Sequence, residues 1–179
     1  MPHDLAALWE DHCRFEFETR DVDATMATMV AEPYVNHVPT MTGGVGHANL
    51  KRFYKHHFIG GNPPDTALLP VSRTIGADQI VDEMIFMFTH TSAVDWMLPG
   101  VAPTGRRVEI PLVAIVRFVD GKVAHEHIYW DQASVLIQVG LLDPSGLPVA
   151  GIETTRKVQD HTRPSNTLMP RWAESADKA

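Results

Sequence analysis

The sequence has little cysteine and little basic charge. Cys13 is the only cysteine among 179 residues, so no intramolecular disulfide can form and a reducing compartment is expected. Its predicted helical position has apolar neighbours, which favours a buried structural residue over a nucleophile. Lysine and arginine number 15 against 22 acidic residues, and the formal net charge is −7. Because the basic residues are scattered along the chain, no nucleic-acid partner is expected.

Long apolar runs, a signal-like start and repeats are also missing. No apolar stretch approaches the length of a membrane span, so no membrane partner is expected. Residues 1–11, MPHDLAALWED, lack the basic and apolar segments of a secretion signal, and a cytoplasmic location is expected. The stretch 43–46, GGVG, matches neither a dinucleotide fingerprint nor a phosphate-binding loop. The absence of Gly-x-Ser-x-Gly leaves an acyl-enzyme serine hydrolase without support.

Helices are predicted first along the chain and strands later. The predicted helices cover 4–20, 21–32, a segment ending near Phe58, and about 133–139. The predicted strands cover 34–40, 67–75, 79–91 and both sides of Asp120-Gly121. This order indicates an α+β fold, with N-terminal helices packed on a strongly curved, mostly antiparallel sheet that forms a conical cavity. The cone domain is expected over 1–145, and 146–179 is expected to be an extension, either an arm on a partner subunit or partly disordered.

The hairpin around Asp120-Gly121 determines where the candidate site residues are expected. A two-residue turn there would place Ala114 opposite His127, and directly paired residues share one face of a sheet. The face so predicted is apolar except for His125, His127, Tyr129 and Asp131. Polar groups in such a setting need buried partners or a wet pocket.

Asp131 has two candidate roles. A carboxylate in an apolar cone has its charged form desolvated, and it can then transfer protons as a general acid or base. Alternatively, Asp131 caps the helix that begins near Ala133 and stays ionised. His37 lies with Val35 on the more apolar face of its strand, so it is expected to point inward and to orient Asp131.

The two histidines of the hairpin have further candidate roles. His127 could assist Asp131, and Tyr129 could donate a hydrogen bond to a developing oxyanion, although both could instead be satisfied wall groups. His125 and His127 could hold a metal together with Asp131 or His37. Two neutral histidines in a cavity wall are the favoured alternative, so neither a metal nor another cofactor is expected.

Other side chains are candidates for substrate contacts. One of Asp82 and Glu83 is expected in or near the cavity, while the other pairs with an arginine such as Arg73 or Arg117. Trp96, in the loop 92–103, could cover an apolar substrate, but a core plug or a dimer contact is favoured. The candidate substrate contacts besides Tyr129 are Tyr34, Phe53, Glu83, His90 and Trp96.

A series of short motifs resembles the SnoaL-like polyketide cyclases, within the cystatin-like cone superfamily named for nuclear transport factor two. The motifs are Asp21-Val22-Asp23, YVNH at 34–37, the glycine loop 43–46, FTHT at 88–91, PTGRRVE at 103–109, the turn 118–122, and Trp130-Asp131 followed by Gln138-Val139-Gly140. The resemblance spans roughly residues 5–142. It implies a cofactor-free ring closure in which Asp131 matches the acid/base aspartate and His90 matches a pocket histidine. The sequence lacks the Tyr-plus-Asp oxyanion pair of ketosteroid isomerase and the Asp-Arg-Asp set of limonene epoxide hydrolase.

These features favour a cofactor-independent enzyme that moves protons on a small, apolar, carbonyl-bearing substrate, as a cyclase, isomerase, hydratase or hydrolase. The expected catalytic residues are Asp131, His37 and His127. The alternative is a non-catalytic binding or accessory module that uses the same cavity, and a third reading is a metal-dependent lyase or dioxygenase-like site. A homodimer is expected through the outer face of the sheet, where Val113, Ile115, Ile128 and Trp130 would otherwise be exposed.

Overall fold

In the computed structural model, which describes residues 3–178, helices pack on one face of a six-stranded sheet. The helices are α1 (Leu5–Phe17), α2 (Val22–Ala27), α3 (His47–Phe53), which continues as a π-helical turn over Tyr54–Phe58, α4 (Gln132–Gln138), α5 (Glu153–Gln159) and a 3₁₀ segment over Pro170–Lys178. The strands are β1 (Met29–His37), β2 (Thr42–Val45), β3 (Ala67–Ile75), β4 (Gln79–Thr89), β5 (Arg107–Val119) and β6 (Lys122–Trp130). The predicted α+β class is confirmed.

The strands follow the order β2-β1-β6-β5-β4-β3, and the sheet is curved and unclosed. All neighbouring strands are antiparallel except β1 and β6, which run parallel. Residues 43–45 of the predicted glycine loop are part of β2, and Gly46 precedes α3. A Cβ atom on Gly43 would lie 2.1 Å from the carbonyl oxygen of Val35, so glycine is what allows β2 to approach β1 this closely.

Aspartates begin three of the helices. Asp4 accepts a hydrogen bond from Ala7 N, and Asp21 accepts one from Ala24 N. The second helix is shorter than predicted: α2 ends at Ala27 and the strand β1 begins at Met29, upstream of the predicted boundary at residue 34. The buried side chains of α1 are Leu5, Trp9, His12 and Glu16, which recur at helical spacing. This helix therefore turns two ionisable groups toward the sheet.

The turn Asp120-Gly121 forms as predicted, but the predicted register of its strands is wrong. The register slips between Arg117 and Phe118, where Ala124 is an extra residue in β6. Such a β-bulge, with two residues opposite one, exchanges the two faces of the strand beyond it.

Beyond the bulge, Ala114 lies opposite Ile128 instead of His127. We call the helix-covered face of the sheet the inner face and the opposite face the outer face. The inner side chains of β6 are Glu126, Ile128 and Trp130, and its outer side chains are His125, His127 and Tyr129. The expectation that His127 and Tyr129 line the cavity is therefore wrong. So is the expectation that Ile128 and Trp130 lie on the outer face.

The loop 92–103 forms part of the core. Trp96 is fully buried, and its indole Nε1 donates to Asn62 Oδ1 at 2.9 Å. The neighbouring side chains Val94, Met97 and Leu98 are buried as well. Of the alternatives predicted for this loop, the structure therefore shows packing in the core.

The first part of the predicted extension packs on the sheet. In α5, Thr155 Oγ1 donates to the carbonyl of Glu109 at 2.6 Å, and Arg156 lies 3.2 Å from the Glu109 carboxylate. Ser134 of α4 donates to Gly151 O at 2.8 Å. Residues 167–176 are exposed. The division at residue 145 stays a prediction. Among residues 3–178, no helix combines the length and the apolar character needed to span a membrane.

Candidate functional site

A narrow cavity of about 40 Å³ lies between the helices and the inner face of the sheet. Aromatic side chains form most of its helix and loop side: Trp9, Phe17, Tyr54, Phe58 and Trp96. The sheet contributes Val35, Met84, Phe86, Leu112, Ala114 and Ile128. A space of this size holds about three water molecules at most, so an organic ligand has to displace side chains.

Three ionisable side chains meet at one end of this cavity, and we call them the charge cluster: His12 and Glu16 of α1 and Glu126 of β6. His12 Nε2 lies 3.2 Å from Glu16 Oε1 and 3.4 Å from Glu126 Oε1. All three side chains are at least 95% buried. Tyr54 donates its hydroxyl to Glu126 Oε1 at 3.3 Å. The ring of Trp9 stacks on the imidazole of His12.

The hydrogen bonds of His12 define which of its nitrogens carries a proton. Thr28 Oγ1 donates to Thr25 O, and it lies 2.6 Å from His12 Nδ1. Because that hydroxyl proton is already used, Thr28 Oγ1 must accept from Nδ1–H. The other nitrogen, Nε2, faces the two carboxylates, although its N–H direction is not aligned with either oxygen.

The charge cluster shifts the pKa values of His12 and Glu16 from their ordinary values. Burial alone would lower the pKa of His12, but the two neighbouring glutamates outweigh it and raise the pKa to about 10. Burial raises the pKa of the Glu16 carboxyl above its ordinary value, against the opposing charge of His12. At neutral pH an imidazolium therefore lies between the side chains of Glu16 and Glu126.

His37 points inward, as its strand pattern predicted. It lines the cavity and is 3% exposed, with the rings of Phe53, Phe58, Trp96 and Trp130 around it. Burial lowers the pKa of His37 to about 4, so the ring is neutral. Its Nδ1 lies 3.3 Å from Thr42 O and can only donate there, which leaves Nε2 as an acceptor. Trp96 also lines the cavity, while Phe53 contributes by packing on His37.

Asp131 lies outside the cavity. It is exposed, and its Oδ1 accepts from Ala133 N at 2.9 Å and Ser134 N at 3.2 Å, which makes it the N-cap of α4. The capping alternative is thus what the structure shows. It gives no geometric support to an acid/base role for this residue.

Other predicted contacts also lie away from the cavity. His127 is on the outer face, where its ring meets the half-exposed ring of Tyr34, and Tyr129 is 42% exposed on the same face. Glu83 is on the outer face and accepts from Ser72. The bulge explains why His127 and Tyr129 point to the outer face, and strand alternation explains the outward direction of Glu83.

Of the two adjacent acidic residues Asp82 and Glu83, Asp82 is the one whose side chain lies on the inner face. It accepts a hydrogen bond from Trp9 Nε1 at 2.8 Å and pairs with Arg73 at 2.9 Å. His90 is fully buried, but it lies by Thr104, 3.2 Å from Nδ1 to Oγ1, and not in the cavity wall. Neither residue therefore faces a ligand in this cavity.

The sequence interpretation missed His12, Glu16 and Glu126 as site residues. Residues 12 and 16 lie one helical turn apart, on the stripe that contains Leu5 and Trp9. That spacing is the signal that could have identified Glu16 as buried. Glu126 carried no such signal, because its inward position depends on the bulge.

Within residues 3–178, the charge cluster is also the group whose donor atoms lie close enough together, within 4.8 Å of one another, to hold a metal ion. One imidazole nitrogen and two carboxylates suit several divalent metals. A metal there would have to replace the proton on His12 Nε2.

An open curved sheet, covered by helices that enclose an apolar cavity, defines the chain as a cone-fold protein of the kind named for nuclear transport factor two. The sequence model of the SnoaL-like polyketide cyclases matches residues 7–139. The chain belongs to this family, and the resemblance predicted over residues 5–142 is confirmed.

Solved structures share this fold. TsrD from Streptomyces laurentii is 18% identical, with a TM-score of 0.59, over 77% of this chain and 96% of its own. An NTF2-like protein from Burkholderia pseudomallei is 18% identical, with a TM-score of 0.58, over 76% of this chain and 97% of its own. A protein from Catenulispora acidiphila with a ketosteroid isomerase-like fold is 15% identical, with a TM-score of 0.57, over 79% of this chain and 96% of its own. A comparison with curated proteins gave no match. At these identities the likeness concerns the fold alone.

Proposed function

We propose that this protein is a cofactor-independent enzyme that transfers protons on a small, apolar, carbonyl-bearing molecule. The observation that carries the proposal is the charge cluster at the end of an otherwise apolar cavity. Buried carboxyl and imidazole groups with displaced pKa values are costly for a fold and are concentrated at catalytic sites. We assign the acid/base role that was expected of Asp131 to the charge cluster instead, because Asp131 is exposed to solvent.

Glu16 is the proposed base. Its Oε1 is buried and has no aligned hydrogen bond among the described residues, and Glu16 lines the cavity. As a carboxylate it takes a proton from the carbon next to the substrate carbonyl and returns it to another atom of the product. An isomerisation or a ring closure of this kind has no net proton change.

Tyr54 is the proposed donor to the negative charge that forms on the substrate oxygen, and its hydroxyl turns from Glu126 Oε1 to that oxygen when the substrate binds. His12 places its charge beside the Glu16 carboxylate. Burial raises the pKa of Tyr54 well above its ordinary value, so the phenol keeps its proton and can donate it in a hydrogen bond. A hydrogen-bond donor in a dry site stabilises a developing oxyanion more strongly than it would in water. His37, neutral and held by aromatic rings, supplies a further acceptor for orienting a ligand.

The test is hydrogen–deuterium exchange at the carbon next to the carbonyl of 1-tetralone, followed by NMR in deuterated buffer. Wild-type protein is expected to accelerate the exchange, and Glu16→Gln is expected to slow it by about 10²–10⁴-fold. Glu83→Gln is the matched control, because Glu83 is a glutamate on the outer face. Equal exchange with Glu16→Gln and wild type would exclude Glu16 as the base.

The alternative is a binding or accessory module that holds a ligand in the same cavity. It predicts that the ketone binds to wild type and to Glu16→Gln while neither protein accelerates exchange. Titration calorimetry with 1-tetralone, run beside the exchange experiment, separates the two functions.

We also propose a homodimer through the outer face of the sheet, and a cytoplasmic location, which the single free thiol of Cys13 supports. The outer face exposes Tyr34 and Tyr129, beside the half-buried Val113 and Ile115. An apolar surface of this kind on a sheet is typical of an interface between identical subunits.

A further inference from the structure

One layer of side chains separates the cavity from the protein surface. Cys13 and Phe17 of α1, Leu68 of β3 and Met84 of β4 line the cavity, and the same four residues line a groove on the outside of the molecule. We call these four residues the α1–β3 seam. Cys13, Phe17 and Leu68 are only partly buried, so the seam is the place where the cavity comes nearest to solvent.

The cavity must enlarge to admit an organic ligand, and most of its walls resist this. Hydrogen bonds hold three of its aromatic side chains: Trp9 to Asp82, Trp96 to Asn62 and Tyr54 to Glu126. On the sheet side the wall consists mainly of β1, β4, β5 and β6, each of which has a neighbouring strand on both sides. Moving any of these groups would break hydrogen bonds that the buried site cannot replace.

The seam can move more cheaply. Leu68 lies on the edge strand β3, whose register is irregular between Pro70 and Ser72. Met84 has an unbranched side chain that changes rotamer easily. Neither side chain has a polar group to hold it, so displacing them sacrifices only packing.

We propose that the α1–β3 seam is the entrance to the cavity, and that the size of the side chain at position 68 limits which ligands enter. Leu68 points to the inner face and lies opposite Phe86. The next residue, Leu69, points to the outer face and is 44% exposed. The proposal rests on the proposed function only in taking this cavity as the ligand site.

The entrance can be tested without knowledge of the substrate, by acrylamide quenching of tryptophan fluorescence. Trp9 and Trp96 line the cavity, whereas Trp172 is 56% exposed and would dominate the signal. All variants are therefore made in a Trp172→Phe background. Leu68→Ala is expected to raise the bimolecular quenching constant by about threefold or more, because it opens the seam.

Leu69→Ala is the matched control and is expected to leave the quenching constant unchanged. Leu68→Phe should narrow the seam and lower the constant, with Leu69→Phe as its control, so the proposal stays testable if Leu68→Ala does not fold. Equal effects at positions 68 and 69, or no effect at either, would overturn the proposal. If quenching responds at position 68 but 1-tetralone shows no exchange, the entrance stands and the proposed function fails.

Discussion

His12 Nε2 lies 3.4 Å from Glu126 Oε1 at the buried end of the cavity, and this contact joins the first helix to β6, the last strand along the chain. The contact exists only when α1 is docked on the sheet. In the unfolded chain His12 is hydrated and titrates near its ordinary pKa. Folding therefore changes the protonation of the charge cluster, and the free energy of unfolding must depend on pH.

The first prediction is that stability falls as the pH rises above 6.5. The pKa of His12 is about 10 in the folded protein and 6.5 in a free histidine, so its stabilising contribution is complete below 6.5 and lost by about 10. One group can give a slope of up to about 1.4 kcal/mol per pH unit in this window. Urea unfolding at a series of pH values between 6.5 and 10 measures this slope of the free energy of unfolding.

His12→Gln is the variant that isolates this effect. It removes the titrating group, so the slope between pH 6.5 and 10 should become flatter than in wild type. Glu16 acts in the same direction, because burial raises its pKa, but it starts to act at lower pH. A slope that is unchanged in His12→Gln would show that the cluster does not hold the imidazolium.

The second prediction is that the free energy of unfolding falls as the pH drops below 6.5. The pKa of His37 falls from 6.5 to about 4 on folding, so the unfolded chain binds this proton more readily between those values. Stability that is complete above pH 6.5 is therefore lost as the pH falls toward 4. His37→Phe keeps a ring among Phe53, Phe58 and Trp96 and cannot titrate. In urea unfolding from pH 6.5 to 4, its stability should decline less steeply than that of wild type, and parallel curves would contradict the prediction.

The fold class and one inward residue could be predicted from local rules. Asp4 and Asp21 are typical N-cap residues, and the structure uses both. His37 was placed correctly because strand alternation with Val35 needs no long-range information. These features depend on neighbours in the sequence.

The charge cluster could not be predicted in this way. The pair Asp120-Gly121 defines the turn, but Val123 and Ala124 are both apolar, and nothing in the sequence around them indicates which would become the extra residue of a bulge. One unrecognised bulge exchanged the inner and outer groups of β6. Glu16 was missed for a different reason: its helical spacing from His12 was available, but a glutamate is rarely buried, and its neighbour Glu126 is close only in three dimensions.

The third prediction is that the protein tolerates deletion of Ala124. Without this extra residue Val123 stays opposite Phe118 and His125 stays opposite Arg117, so Glu126 still points to the inner face. Because no polar group changes face, the deletion should cost no more than about 2 kcal/mol of stability.

Deletion of Gly146 is the control for that experiment. Gly146 is exposed in the loop after α4, and nothing lies within 4 Å of the position of its Cβ. Its removal should shift the melting temperature, measured by circular dichroism, about as little as removal of Ala124. Loss of folding on deletion of Ala124 alone would contradict the conserved register and show that the bulge itself is needed.

The fourth prediction is that the outer face joins two copies of the chain. Tyr34 and Tyr129 are 36% and 42% exposed on the outer face, beside the half-buried Val113 and Ile115, and an apolar patch of this kind is typical of a subunit interface. Light scattering should therefore give the mass of a dimer at micromolar concentration.

Tyr129→Arg places a charge on this face and should shift the mass toward the monomer, because a buried unpaired charge opposes association. Met41→Arg is the control, since Met41 is 87% exposed in the turn between β1 and β2. A wild-type protein that is monomeric at about 100 μM would remove the basis for this interface, because subunits that function as a dimer associate at far lower concentration.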